Sequence, residues 1–471
     1  MNRKSFILFA AVLLLPSFLI QSCAPSGEIE ITSEAETTQA ESTSEADKVL
    51  RIAARGEESV FQIVGSTKNA ETDRYTAVIR KKIKAVLEVD LEIVSDYNKS
   101  KLRDFEILVG STLREECAAL TETLGDDEYA IECTENKLII AHKGVYALMC
   151  AVDRLLSEYL NAEAGIFEIP IDTKIKGKYT EEDTMIVSSI EQLRDPCVLV
   201  EDGVYYVYGT NWVCYKNTSG NLAGEWEFLG VVAEKPAESD NNYWAPEVHK
   251  YNGAYYMFTT YHSKVTNHRG CTILKSDSPE GPFREITNGQ ITPHDWDSID
   301  GTFYVDEDGQ PWMVFVHEWT STDDGIGRMA AAKLSDDLTH FISEPIELFR
   351  ADDPSWSKAQ VTDGCWMHKT EDGQLLMIWS NSDSGGYCVG IARSSNGRID
   401  GEWTQDSELL YSKNMNMKYD GGHGMIFFDT DGQMYLSIHS PNRIIDERKE
   451  TPVFIPIREE NATLVWDIWK K

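Results

Sequence analysis

The sequence predicts a five-bladed all-β propeller preceded by a small α/β domain. Three observations carry that reading. Five stretches of the chain share one layout: a polar residue, a short apolar run, an Asp-Gly or Asn-Gly pair, and a second apolar run. They recur at roughly 50 to 65 residues, a spacing typical of propeller blades. Upstream of them, residues 48–180 change to alternating strand and helix patterns.

Taken in order, residues 1–23 read as a lipoprotein signal peptide. Arg3 and Lys4 precede an apolar run from Phe6 to Ile20, too short for a membrane-spanning helix. Ile20-Gln21-Ser22-Cys23 resembles a bacterial lipobox, which makes Cys23 the expected lipidation site and the cell surface the expected address. Residues 24–47 are mostly Ser, Thr, Glu and Ala with no aromatic residue, the composition of a disordered acidic linker.

Residues 48–180 form the predicted α/β domain. Thr72 to Glu88 reads as a helix, and Phe105 to Val109 as a strand followed by a helical stretch to Leu124. Tyr129 to Cys133 and Leu138 to Ala141 read as a hairpin around Asn136. Val145, Leu148, Met149, Val152, Leu155, Leu156 and Tyr159 recur at helical spacing. No reactive cluster is evident there, so a structural or positioning role is expected. Its pattern resembles the N-terminal domains of α-glucuronidases and hexosaminidases.

Residues 186–471 supply the blades. The turn pairs are Asp202-Gly203, Asn252-Gly253, Asp308-Gly309, Asp372-Gly373 and Asp431-Gly432, each a strong hairpin signal. Gly224-Glu225-Trp226, Gly281-Pro282-Phe283 and Gly401-Glu402-Trp403 mark a second recurring turn leading to an outer strand. Upstream of the five hairpin turns stand Asp195, Glu247, Asp300, Asp363 and His423. Singly, each could cap a turn, as Asp often does. As a set in a propeller they would converge on one axis as a polar ring.

The 471 residues carry 44 Lys and Arg against 78 Asp and Glu, a formal charge of -34. That argues against nucleic-acid or anionic-membrane binding, which need basic surface. The eight cysteines beyond Cys23 form no C-x-x-C pair, which argues against zinc. Their scatter suggests buried thiols rather than a disulfide framework.

The blade half resembles glycoside hydrolase family 43, five-bladed enzymes that remove arabinose, xylose or galactose from plant polysaccharides. The supporting stretches are RDPCVLVEDGVYYVYGT, WAPEVHKYNGAYYMF, SIDGTFYVDEDGQPWMVFVH, TDGCWMHK and GGHGM, in the family's order. The resemblance implies an inverting glycosidase with a glycan as its partner and no required cofactor, which the lipobox would anchor at the surface through Cys23. It carries the general base onto Asp195 and the acid-tuning aspartate onto Asp300. It carries the general acid onto Asp363, where the family usually has Glu; Glu247 is the alternative acid. It also places His423 on the axis, with calcium or ordered water, making His423 the one candidate metal ligand.

Such a set has a physical rationale of its own. An inverting glycosidase needs one ionised carboxylate to activate water and one protonated carboxyl to protonate the leaving oxygen, about 6.5–9.5 Å apart. A third carboxylate beside the acid raises its pKa by repulsion. Trp212, Trp244, Trp296, Trp319 and Trp366 lie near strand starts and are candidates for stacking on sugar or for core packing. Trp244 and Trp296 are the expected substrate contacts among them, with His423 and Arg443 as polar ones. Two other readings stand beside this one: a glycan-binding lipoprotein with a degenerate site, and a related five-bladed hydrolase with a different acid, such as histidine. Sugar, anomer, linkage and exo or endo action lie in loops that the sequence leaves open, and the oligomeric state is unknown.

Overall fold

The computed structural model describes residues 48–467 apart from 67–69, 98–102, 181–182, 416 and 446. The predicted signal peptide, lipobox with Cys23 and linker lie outside the described residues. Among the described residues no helix is long and apolar enough to cross a membrane.

Five antiparallel sheets follow one another along the chain. Blade 1 is built from Cys197–Glu201, Val204–Gly209, Val213–Asn217 and Glu227–Val231. Blade 2 is Ser239–Tyr251, Ala254–Ser263, Arg269–Ser276 and Arg284–Glu285. Blade 3 is Ser298–Val305, Pro311–His317, Arg328–Lys333 and Ile346–Arg350. Blade 4 is Asp363–Lys369, Leu375–Asp383, Gly386–Ser394 and Trp403–Gln405. Blade 5 joins Gly422–Phe428, Met434–Ser440 and Thr451–Glu460 to Ile186–Val187 from the start of the ring. Ile186 pairs with Phe454 and Val187 with Val453, so the first strand closes the last sheet.

All five predicted hairpins form, by two different turns. Asp202 and Gly203, and Asn252 and Gly253, have φ of 50°, 78°, 47° and 80°. Both central residues are therefore left-handed, as a two-residue type I′ turn requires. Blades 3, 4 and 5 use a longer loop. In blade 3 the Asp306 N–H donates to the Gln310 carbonyl at 3.0 Å and the Gly309 N–H to the Asp306 carbonyl at 2.9 Å. The same pattern recurs at Thr370–Gln374 and Asp429–Gln433. The glutamine ending each loop reaches across its blade: Gln310, Gln374 and Gln433 donate to the carbonyls of Leu334, Ser394 and Ile457. Asp-Gly-Gln is thus one repeated device, of which the sequence reading used only Asp-Gly.

The upstream part has a six-stranded sheet in the order Glu92–Ser95, Gln62–Gly65, Glu106–Val109, Lys137–His142, Glu128–Cys133, Lys174–Lys178. Its first four strands pair in parallel and the rest antiparallel. Helices α1 (Ala70–Leu87), α2 (Glu115–Glu122) and α3 (Val145–Tyr159) accompany it. The α3 face read from the sequence is the buried one: Leu148, Met149, Val152, Leu155 and Leu156 are all buried.

The α/β part does not have a core of its own alone. Ile79, Ile83, Leu148 and Val152 belong to one cluster with Ile378 and Val389 of blade 4 and Leu436 and Val453 of blade 5. Tyr146 of α3 stacks on Trp466 at 6.4 Å and its hydroxyl donates to the Met415 carbonyl. Tyr179 and Met185, at the expected junction, are buried in the same cluster. Among the described residues the eight cysteines form no disulfide; all are buried except Cys150, which is half-buried.

Candidate active site

Four of the five inner strands carry a register shift at the same place in the pairing, and blade 1 has its counterpart just before its first strand. In blade 3 Ile299 pairs with Val316 and Thr302 with Val314, leaving Asp300 and Gly301 as a two-residue bulge. Ala245-Pro246, Gly364-Cys365 and His423-Gly424 are the bulges of blades 2, 4 and 5. In blade 1, Asp195-Pro196 lies between the Thr210 N–H bond to Arg194 and the Cys197–Tyr208 pair. The first bulge residue is left-handed in every blade, with φ of 57° at Asp195, 42° at Ala245, 55° at Asp300, 41° at Gly364 and 54° at His423. Bulges re-aim side chains beside functional sites. These five define one layer.

Asp195, Asp300 and His423 therefore share a position, as the sequence suggested. Asp363 and Glu247 do not. Asp363 stands one residue before the bulge, level with Arg194, Trp244, Ile299 and Gly422. Glu247 stands two residues after the first bulge residue, level with Cys197, Thr302, Trp366 and Met425. The expectation of five polar residues in phase is corrected in that respect: the ring has three members in phase, with one acid a step to one side and one a step to the other.

The three in-phase residues meet. His423 Nδ1 is 3.3 Å from Asp195 Oδ1 and 3.9 Å from Asp300 Oδ2. One ligand-type atom from each of Asp300, Asp363 and His423 lies within 4.8 Å of the others, so Asp363 reaches the same cluster. The Gly364 N–H donates to Asp300 Oδ2 at 2.9 Å. Thr260 and Ser380 hydroxyls accept the N–H groups of Asp300 and His423 at 3.0 and 2.8 Å. A Cβ on Gly364 would lie 2.8 Å from His423 Cα, so the approach of blades 4 and 5 requires glycine there.

The carboxyls differ in electrostatics. Burial works to raise Asp195, but His423, His439, Arg194 and the Thr210 hydroxyl outweigh it and hold the carboxyl below its usual range. His439 is itself pushed down to about 3 by burial. Its Nδ1 accepts the Asp195 N–H at 3.2 Å, and its Nε2 lies 3.2 Å from Asn442 Oδ1.

Asp300 moves the other way. Burial and the charges of Asp195 and Glu318 push it up to about 6, against the pull of Asp363 and the Gly364 N–H. Asp363 is raised well above the usual carboxylate range, first by burial and then by Asp300. Asp195 and Asp363 are thus shifted in opposite directions within one cluster, the kind of separation that acid–base chemistry uses.

The remaining predicted residues are placed as follows. Glu247 is buried and bonds His249 at 3.2 Å. His249 stacks on Trp366 at 5.1 Å, so Trp366 has a packing partner rather than an open face. Trp212 is fully buried, edge-on to Tyr243. Trp296 lies face to face with His317 at 3.8 Å, which takes one of its two faces. Trp319 is 43% exposed. Trp244 is partly buried, beside the acid layer, with the Arg269 guanidinium 5.9 Å over its ring. Arg443 is exposed.

Four residues at the cluster were not singled out in the sequence. Arg194 is adjacent to the base candidate and donates to Asn442 at 2.8 and 3.1 Å. Tyr387 donates to Asp363 Oδ2 at 2.8 Å. His439 lies on the second strand of blade 5. Glu318 is held by Arg269 at 2.5 Å and raised by burial, with Asp363 among the charges that repel it. Only Arg194 carried a sequence signal, its place beside Asp195; the others come from second or third strands, or from the loop after one.

The five-bladed ring and its carboxyl cluster match a known class of carbohydrate-active proteins. Residues 187–453 match the model of glycosyl hydrolases family 43. That is more than half of the 471 residues, and the chain belongs to this family. A solved endo-arabinase from Bacteroides thetaiotaomicron VPI-5482 is 35% identical, covering 59% of this chain and 99% of that one, with a TM-score of 0.53. A thermostable family-43 glycoside hydrolase, 23% identical with a TM-score of 0.53 over 60% of this chain and 95% of that one, shares the fold. Among curated proteins, an extracellular exo-alpha-(1->5)-L-arabinofuranosidase of Cellvibrio japonicus is 27% identical over 156 residues, 30% of this chain and 43% of that protein. An extracellular endo-alpha-(1->5)-L-arabinanase of Bacillus subtilis is 24% identical over 147 residues, 28% of this chain and 46% of that protein. The chain spans about half the length of the curated relatives it matches.

Proposed function

We propose that this chain is an inverting glycosidase acting on arabinose-containing plant polysaccharide, with α-1,5-linked L-arabinan as first choice over xylose- or galactose-based glycans. The observation that carries the reading is the opposed behaviour of two carboxyls in one cluster: Asp195 held low, Asp363 held high. Asp195 takes a proton from water as its oxygen attacks the anomeric carbon. Asp363 gives its proton to the leaving oxygen as the glycosidic bond breaks. Asp300, between them, supplies the repulsion that keeps Asp363 protonated. The choice of arabinan rests on the printed activities of the relatives.

Trp244 and Trp296 are the proposed sugar contacts, with His423, Arg443 and Arg194, whose charge acts on Asp195, as polar ones. Attachment to the cell surface through lipidated Cys23 belongs to the same proposal. Calcium at His423 has weak support. Calcium takes six to eight oxygen ligands, whereas this cluster offers one imidazole nitrogen, and its Asp300 and Asp363 carboxyls are already engaged with each other and with Gly364 and Tyr387. No step runs through a metal.

The test is a panel of debranched arabinan, arabino-oligosaccharides, xylan and galactan, with products read by chromatography. Release of arabinose or short arabino-oligosaccharides is expected. Glycan binding with no product from any member would make the chain a binder instead.

A further inference from the structure

Asp363 is one methylene shorter than the acid its family usually places there, and the structure shows what surrounds it. Tyr387, the second residue of the third strand of blade 4, sends its hydroxyl to Asp363 Oδ2 at 2.8 Å. Tyr387 is 5% exposed and held by several contacts. Its N–H donates to Asp420 Oδ2 at 3.1 Å, and its carbonyl accepts the Gly421 N–H at 3.1 Å. Its ring stacks on His439 at 5.6 Å.

Two glycine pairs make that seat. A Cβ on Gly422 would lie 2.6 Å from two Tyr387 ring carbons. Gly386 has φ of 126°, and a Cβ there would lie 2.7 Å from Asp420 Oδ2. Ser384-Gly385-Gly386-Tyr387 and Asp420-Gly421-Gly422 are therefore two halves of one cradle. Its only hydroxyl aimed at the acid is that of Tyr387.

We propose that Tyr387 is a positioning residue for the proton donor: its hydroxyl fixes the short Asp363 carboxyl where a longer acid would reach unaided. The hydroxyl donates to Oδ2, which leaves Oδ1 to carry the acid's proton. The bond also stops the carboxyl from rotating about its terminal torsion, which is otherwise soft. This inference rests on Asp363 being the proton donor.

The experiment compares kcat and KM of Tyr387→Phe, Gly422→Ala and Asp363→Asn with those of the full chain, on aryl α-L-arabinofuranosides of graded leaving-group basicity and on arabino-oligosaccharides. Circular dichroism and melting temperature confirm folding. Tyr387→Phe is expected to lower kcat about 10- to 100-fold on basic leaving groups, with a loss on activated aryl groups at least tenfold smaller and little change in KM. Gly422→Ala, which pushes the ring off its seat, should reproduce the same skew. Equal losses on both classes, or none on either, in folded Tyr387→Phe would overturn the positioning role. Asp363→Asn separates the two failures: if it shows no skew, the acid assignment itself is wrong, whereas a skew in Asp363→Asn alone rejects only Tyr387.

Discussion

The Gly364 N–H donates to Asp300 Oδ2 at 2.9 Å, and that bond ties the residue after the proposed acid to the carboxylate proposed to tune it. It joins blades 3 and 4 at the carboxyl cluster. Asp300 rises to about 6, and Asp363 well above the usual carboxylate range.

The pH profile of kcat/KM should be bell-shaped. Activity needs Asp195 ionised, so the acid limb lies below the ordinary carboxylate range; it needs Asp363 protonated, so activity falls as pH rises through the raised pKa. Asp300→Asn removes the charge that helps to raise Asp363, so the alkaline limb should move to lower pH. Stability follows the same sign. The proton bound by Asp300 stabilises the fold fully below about pH 4, and that contribution is lost as pH rises through about 6. Melting temperature of the wild type should decline across that interval more than that of Asp300→Asn. An alkaline limb that stays put or moves up in the variant would remove Asp300 from the tuning role.

Asp195→Asn should keep the fold and lower kcat by about 10²–10⁴-fold, because an amide cannot take the proton from water. Its N–H bond to His439 and its left-handed backbone are compatible with Asn. A folded variant with near-normal turnover would reject the base.

Asp363→Asn should abolish cleavage of poor leaving groups while sparing activated aryl glycosides far more, since these need little protonation. Glu247→Gln should show no such skew. Glu247 lies on the other side of the bulge layer from Asp363, bonded to His249. The reverse result in the two variants would make Glu247 the donor.

Removing residues 24–180 should cost stability before it costs chemistry. The deletion takes Ile79, Leu148 and Val152 out of a cluster shared with Val389 and Leu436. The apolar ring surface left uncovered costs about 25 cal/mol per Å² returned to water. Thermal unfolding should show a markedly lower melting temperature for the truncated chain, and turnover of small aryl glycosides below that temperature should persist. An unchanged melting temperature would mean the ring is self-contained.

The hairpin count, the turn pairs and three of the five ring residues (Asp195, Asp300 and His423) were legible because each rests on short-range chemistry. Asp-Gly and Asn-Gly report left-handed turns directly, and helix α3 shows its buried face in its spacing. The register of the ring was not legible. A bulge adds a residue without changing the local composition, so Asp363 and Glu247 could not be told from the in-phase Asp195 and Asp300 by counting from the turn. Short parallel strands such as Gln62–Gly65 also escaped, since four buried residues give no periodicity. Tyr387, His439 and Glu318 reach the cluster from outer strands or loops, and only the folded blades bring them there.

The proposed reaction is inversion by Asp195 and Asp363 within one cluster. Its most direct test is proton NMR of the first product formed from α-1,5-linked arabino-oligosaccharide, recorded before mutarotation. The β-anomer should appear first and the α-anomer only later, by equilibration. An α-anomer present from the first spectrum would mean retention, and would contradict the roles given to both carboxyls.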